Sequence, residues 1–98
     1  MTKLSTKEIS VGMKTVPTWV KRAKTIHRTF KFPGFPDSIA FVNRIAKRAE
    51  KLNNHPDIDI RFNQVTLKLT THDAGGLTEK DFLLARQSDL DFSKRGGS

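Results

Sequence analysis

Ninety-eight residues are enough for one small domain, and a domain of this size buries only a little over ~60% of its unfolded surface, so association between copies is an expected source of stability. With no cysteine, no i, i+4 histidine pair, no ~20-residue apolar run and no signal-peptide core, the chain is expected to be soluble and cytoplasmic or nuclear, without disulfide, metal site or membrane span. The formal charge of +8 is uneven: residues 1–55 carry 12 Lys and Arg against Glu8, Asp37 and Glu50, whereas residues 56–98 carry 6 against 7 acids.

Residues 1–4 form a polar lead that reads as frayed. Ser5 followed three residues later by Glu8 is a capping-box spacing, and it predicts a short helix from about Ser5 to Lys14 that Pro17 cannot continue. From Trp19 to Phe32 the chain turns to Val, Ile, Thr and Phe. Ile26, Phe30 and Phe32 alternate with His27, Thr29 and Lys31, which predicts a hairpin of strands 18–22 and 26–32 joined near Ala23-Lys24, broken by Pro33-Gly34.

Asp37 or Ser38 is the expected cap of a helix whose buried face is Ile39, Val42, Ile45, Ala46, Ala49 and Leu52. Its other side carries Arg44, Lys47, Arg48 and Lys51. Pro56 disfavours helical backbone at His55 and so presents that histidine at a helix exit. Ile58, Ile60 and Phe62, then Val65, Leu67 and Leu69 after a turn at Asn63-Gln64, predict two antiparallel strands, with His72 on the polar phase at the end of the second. Past Gly75-Gly76, Thr78 is positioned to cap a helix reaching about Leu90, with Asp81 at its third position and Leu77 stapled to Phe82. Residues 93–98 read as a frayed tail. The order α-β-β-α-β-β-α implies an α+β fold, a four-stranded antiparallel sheet with helices packed on one face, in a single domain over residues 1–98.

Histidine titrates nearest neutral pH, which makes His55 and His72, both at element boundaries, the natural proton-transfer candidates. Glu50 lies one helical turn before Asn54 and can orient a neighbouring imidazole. Taken singly these are ordinary polar residues: a loop histidine, a strand-end histidine and a solvated carboxylate, with Trp19 an ordinary core aromatic.

The joint spacing is distinctive. Glu50, then Asn54-His55-Pro56, Phe62, His72 and Asp81, with the stretches RTFKF, AFVNRIA and THDAGGLTEKDF, resembles the pterin-4a-carbinolamine dehydratase family from Trp19 to the last helix. The family carries a histidine where this chain has Asn54. The resemblance implies a hydro-lyase that dehydrates a 4a-hydroxytetrahydropterin to the quinonoid dihydropterin in tetrahydrobiopterin recycling, with no metal or redox cofactor. It implies His55, His72 and Glu50 as catalytic residues and Asn54, Pro56, Trp19 and Asp81 as substrate contacts. A homodimer or homotetramer is also implied, and some members of the family serve as dimerisation partners of a transcription factor. The alternative reading is therefore a low-activity pterin-binding or scaffold protein. Nucleic-acid binding rests on the basic helix alone, which lacks interleaved aromatic residues for stacking and is not favoured.

Overall fold

A computed structural model describes residues 2–94 of the chain. The elements follow the expected order: α1 (Thr6–Lys14), β1 (Val20–Arg22), β2 (Thr25–Lys31), α2 (Phe35–Leu52), β3 (Asp57–Arg61), β4 (Gln64–Leu69), a single 3-10 turn at His72–Ala74, and α3 (Glu79–Lys94). The strands form one antiparallel sheet in the order β1-β2-β4-β3. Its inner strands bury Ile26, Phe30, Val65, Leu67 and Leu69 under the helices, while His27, Thr29, Thr66 and Lys68 occupy the opposite phase. No helix among the described residues is long and apolar enough to cross a membrane.

The capping box of α1 forms as the spacing predicts: Ser5 Oγ accepts from the Glu8 N–H at 3.2 Å, and Glu8 Oε1 accepts from the Ser5 N–H at 2.8 Å. The Ser5 N–H holds the Glu8 carboxyl below its ordinary range. Gly12 permits α1 to lie against α3, since a Cβ there would come within 2.9 Å of the Phe82 ring.

Helix α2 begins earlier than expected. Gly34, in extended backbone, is its N-cap rather than Asp37 or Ser38, and Pro36 sits in the first turn, where a missing N–H costs nothing. Ser38 is instead buried inside the helix, its hydroxyl donating to the Gly34 carbonyl at 3.2 Å. The buried stripe is accordingly rotated to Ser38, Phe41, Ile45 and Ala49, whereas Ala46 is exposed. Phe41 packs on Phe30 at 4.7 Å and Phe32 at 5.1 Å between ring centroids, so an aromatic cluster forms the centre of the core.

Two further boundaries differ. The β3–β4 turn is Phe62-Asn63, not Asn63-Gln64, because Gln64 already pairs with Arg61 and Phe62 takes the left-handed conformation. Helix α3 runs past Leu90 to Lys94, held by the Arg48–Asp91 ion pair and the Ser93 hydroxyl donating to the Leu90 carbonyl; the expected fraying of residues 95–98 and Met1 falls outside the described residues. Finally, the alternation of β3 does not bury it. Ile58 and Ile60 share the helix-side face with their partners Leu67 and Val65, but β3 is an edge strand and leaves them 37% and 36% exposed, with Phe62 at 68%.

Candidate functional site

The site is built at the exit of α2. Asn53 adopts the left-handed conformation, the Asn53 N–H bonds the Glu50 carbonyl at 3.2 Å, and the Asn54 N–H bonds the Ala49 carbonyl at 3.1 Å. This pair of bonds is a Schellman closure, for which asparagine is the commonest substitute for glycine. The helix thus ends at Leu52, before Pro56 can act, and the reversal carries His55 back toward the last turn. His55 Nε2 lies 2.5 Å from Glu50 Oε2. Both side chains are open to solvent, so their contact contributes little to stability.

Directly behind this pair lies a buried polar cluster. The Asn54 side chain, 5% exposed, donates through Nδ2 to Asp81 Oδ1 at 2.8 Å. Asp81 is fully buried, and its Oδ2 accepts from the Thr71 hydroxyl at 2.8 Å and from the Thr78 N–H at 2.9 Å. Thr71 and Thr78 share a further hydroxyl contact at 2.8 Å, and Thr78 Oγ1 accepts from the Lys80 N–H at 3.3 Å as the cap of α3. One carboxylate therefore ties together the residue before His55, the residue before His72 and the start of α3. The register supports the same convergence: Asp57 pairs with Lys68, so the chain leading into β3 and the chain leaving β4 lie at one end of the sheet.

Of the residues singled out in the sequence, the fold brings Glu50 and His55 into direct contact and links Asn54 to Asp81. His72 is exposed in the 3-10 turn, one residue beyond the tether at Thr71, and Pro56 is half-buried beside His55. Trp19 lies apart. It is 3% exposed, its ring stands edge-on to Phe30 at 5.9 Å, and its indole N–H donates to Asp89 Oδ1 at 2.9 Å, an oxygen that also receives Arg28 at 2.6 Å. Thr71 and Asn53, which help hold the two histidine segments, were not among the residues singled out in the sequence. An asparagine directly after the last apolar residue of a helical pattern is a stop signal, and it was the clue to Asn53; nothing local marked Thr71. Among the described residues no group of three or more His, Asp or Glu could hold a metal ion.

The family model for pterin 4 alpha carbinolamine dehydratase matches residues 2–90. The chain belongs to the pterin 4 alpha carbinolamine dehydratase family. A Roseiflexus sp. protein is 52% identical over 88 residues, covering 90% of this chain and 95% of its own, and a Chloroflexus aurantiacus protein is 53% identical over 89 residues, covering 91% and 96%. Both carry the name pterin-4-alpha-carbinolamine dehydratase provisionally. Among solved structures, a transcriptional coactivator/pterin dehydratase from Brucella melitensis superposes with a TM-score of 0.86 at 32% identity, covering 90% of this chain and 96% of that one. A pterin dehydratase-like RuBisCO assembly factor of the alpha-carboxysome shares the fold alone, at a TM-score of 0.62 and 19% identity, over 80% of this chain and 89% of its own.

Proposed function

We propose that this dehydratase-family chain is an active hydro-lyase that removes water from a 4a-hydroxytetrahydropterin, and that Glu50, His55 and His72 carry the proton transfers. The observation that carries this reading is the Glu50–His55 pair at the helix exit. A carboxylate accepts hydrogen bonds, so in this reading the imidazole nitrogen facing Glu50 donates to it and Nδ1 is left to accept a proton. In the reaction the ring nitrogen loses its proton, the hydroxyl on the adjacent carbon leaves with an added proton as water, and a carbon–nitrogen double bond forms. His55, oriented by Glu50, takes the nitrogen's proton, and His72 delivers one to the departing oxygen.

Asn54 cannot carry a proton at neutral pH. Its amide is engaged by Asp81, and in this reading Asn54 and Asp81 act from behind the ligand by holding the two histidine segments, Pro56 forms part of the wall, and Trp19 supports the far side of the core. A dehydration assay tests the proposal: His55→Ala and His72→Ala should each lower turnover by ~10²–10⁴. Unchanged turnover in both would refute it.

The edge strand favours a second property. Ile58, Ile60 and Phe62 remain open along β3, whose outer hydrogen-bonding edge pairs with no strand among the described residues. A second copy continuing the sheet there would cover them and form a dimer, from which a tetramer could be built. Light scattering at micromolar concentration should give a multiple of 11.1 kDa; the monomer mass alone would contradict it. The same surface also suits a scaffold protein that binds pterin without turnover, and the coactivator named for the Brucella protein is the finding that keeps this reading in view.

A further inference from the structure

A cleft of about 610 Å³ that no histidine lines lies between α1, the β1–β2 turn and the Gly75-Gly76 turn. Its walls are tied in place: the Leu4 N–H donates to the Leu77 carbonyl at 2.8 Å, and the Thr70 hydroxyl donates to the Lys24 carbonyl at 2.7 Å. Its volume falls within the range of ~300–1,000 Å³ typical of small-molecule sites.

Lys3, Lys21 and Lys24 line the cleft, no acidic residue does, and none of the three joins an ion pair among the described residues. The apolar part of the lining is aliphatic, with Leu4, Ile9 and Met13 against Leu77, and it holds no aromatic ring. Each feature narrows the ligand. Unpaired ammonium groups attract an anionic head as point charges without demanding the planar fork that arginine provides. A floor without aromatic or arginine planes gives a nucleobase nothing to stack on. A concave aliphatic floor suits a chain that lies within it better than it suits a flat bilayer surface.

We propose that this cleft binds a single amphipathic anion, an aliphatic chain ending in a carboxylate or a phosphate, at a site lined by none of the residues assigned to the pterin chemistry. The test is calorimetric titration of the whole protein with decanoate and with decyl phosphate, both below their micelle concentrations, and with 1-decanol as the uncharged control. Either anion should bind at least about tenfold more tightly than the alcohol. The double variant Lys21→Glu, Lys24→Glu should weaken the anion about tenfold or more, since each tenfold corresponds to ~1.4 kcal/mol and two attractive charges become repulsive. Ser10→Trp, at an exposed position of α1 on the cleft wall, should block both anions while leaving the circular dichroism of the fold unchanged. Preference for decanoate or for decyl phosphate identifies the head group. The proposal is overturned if neither anion binds, if both variants bind like the parent, or if the protein binds phosphatidylcholine–phosphatidylserine vesicles while ignoring the free amphiphiles.

Discussion

Replacing Asp81 with alanine probes the cluster behind the histidines. The substitution strands three donors, the Asn54 amide, the Thr71 hydroxyl and the Thr78 N–H, in a region where Asp81 is fully buried and Asn54 nearly so. Each buried donor left without a partner costs ~1–3 kcal/mol. Against this, alanine no longer requires a carboxylate to be desolvated, which returns part of the loss. The Thr71–Thr78 hydroxyl contact can survive and satisfies one of the three groups. The net expectation is a loss of ~2–5 kcal/mol, a large share of the ~5–15 kcal/mol that holds a domain of this size. Urea unfolding followed by circular dichroism would register it as a lower midpoint at an unchanged slope. Asp81→Asn keeps the shape and one acceptor oxygen, so it should cost less, and in the folded protein it should slow turnover more than it weakens pterin binding. A midpoint for Asp81→Ala equivalent to less than about 1 kcal/mol of destabilisation would refute the reasoning, because it would mean the three donors find other partners.

Other outcomes follow from individual contacts. Asn54→His should change turnover by less than about tenfold, because position 54 faces Asp81 inside the fold; a gain of ~10²–10⁴ would instead make it an obligatory acid or base. Gly12→Ala should destabilise by ~1–2 kcal/mol in urea, the overpacking against Phe82 outweighing the gain in helix propensity. The lowered carboxyl of Glu8 adds helix stability above its ordinary value of 4.5, and that part is lost as pH falls through the lowered folded value; Glu8→Gln should flatten this acid-side dependence of α1 helicity. Duplex DNA should bind weakly and dissociate steeply with added salt, since Arg48 on the basic face is already engaged in two bonds to Asp91 at 2.5 and 2.7 Å. Sequence-specific binding that survived physiological salt would contradict this.

The order of elements was legible because each carries its own period or stop signal: alternation in β2 and β4, the three-and-four spacing of α2, the capping box of α1 and the Thr78–Asp81 start of α3. The family was legible from the spacing of Glu50, His55, Pro56, Phe62, His72 and Asp81. What escaped was whatever depends on packing partners. The core phase of α2 turned toward Phe41 because aromatic neighbours on β2 receive it, and periodicity alone also admitted the neighbouring stripe through Ile39, Val42 and Ala46. Alternation in β3 could not say that the strand lies at an edge, where an apolar face stays open until something covers it. The resemblance grouped Asn54 and Asp81, 27 residues apart, as ligand contacts but not as partners of each other, and a hydrogen bond of that span has no local signal.

The most direct test of the account is single-turnover dehydration of a 4a-hydroxytetrahydropterin by the unmodified chain beside His55→Ala, His72→Ala and the double variant, with pterin binding measured on the same samples. The account predicts a rate for the unmodified chain above the spontaneous reaction, a loss of ~10²–10⁴ for each single variant, and binding largely retained. Binding with no rate above the spontaneous reaction, or a double variant as fast as the parent, would contradict it, and the first of these results would favour the scaffold.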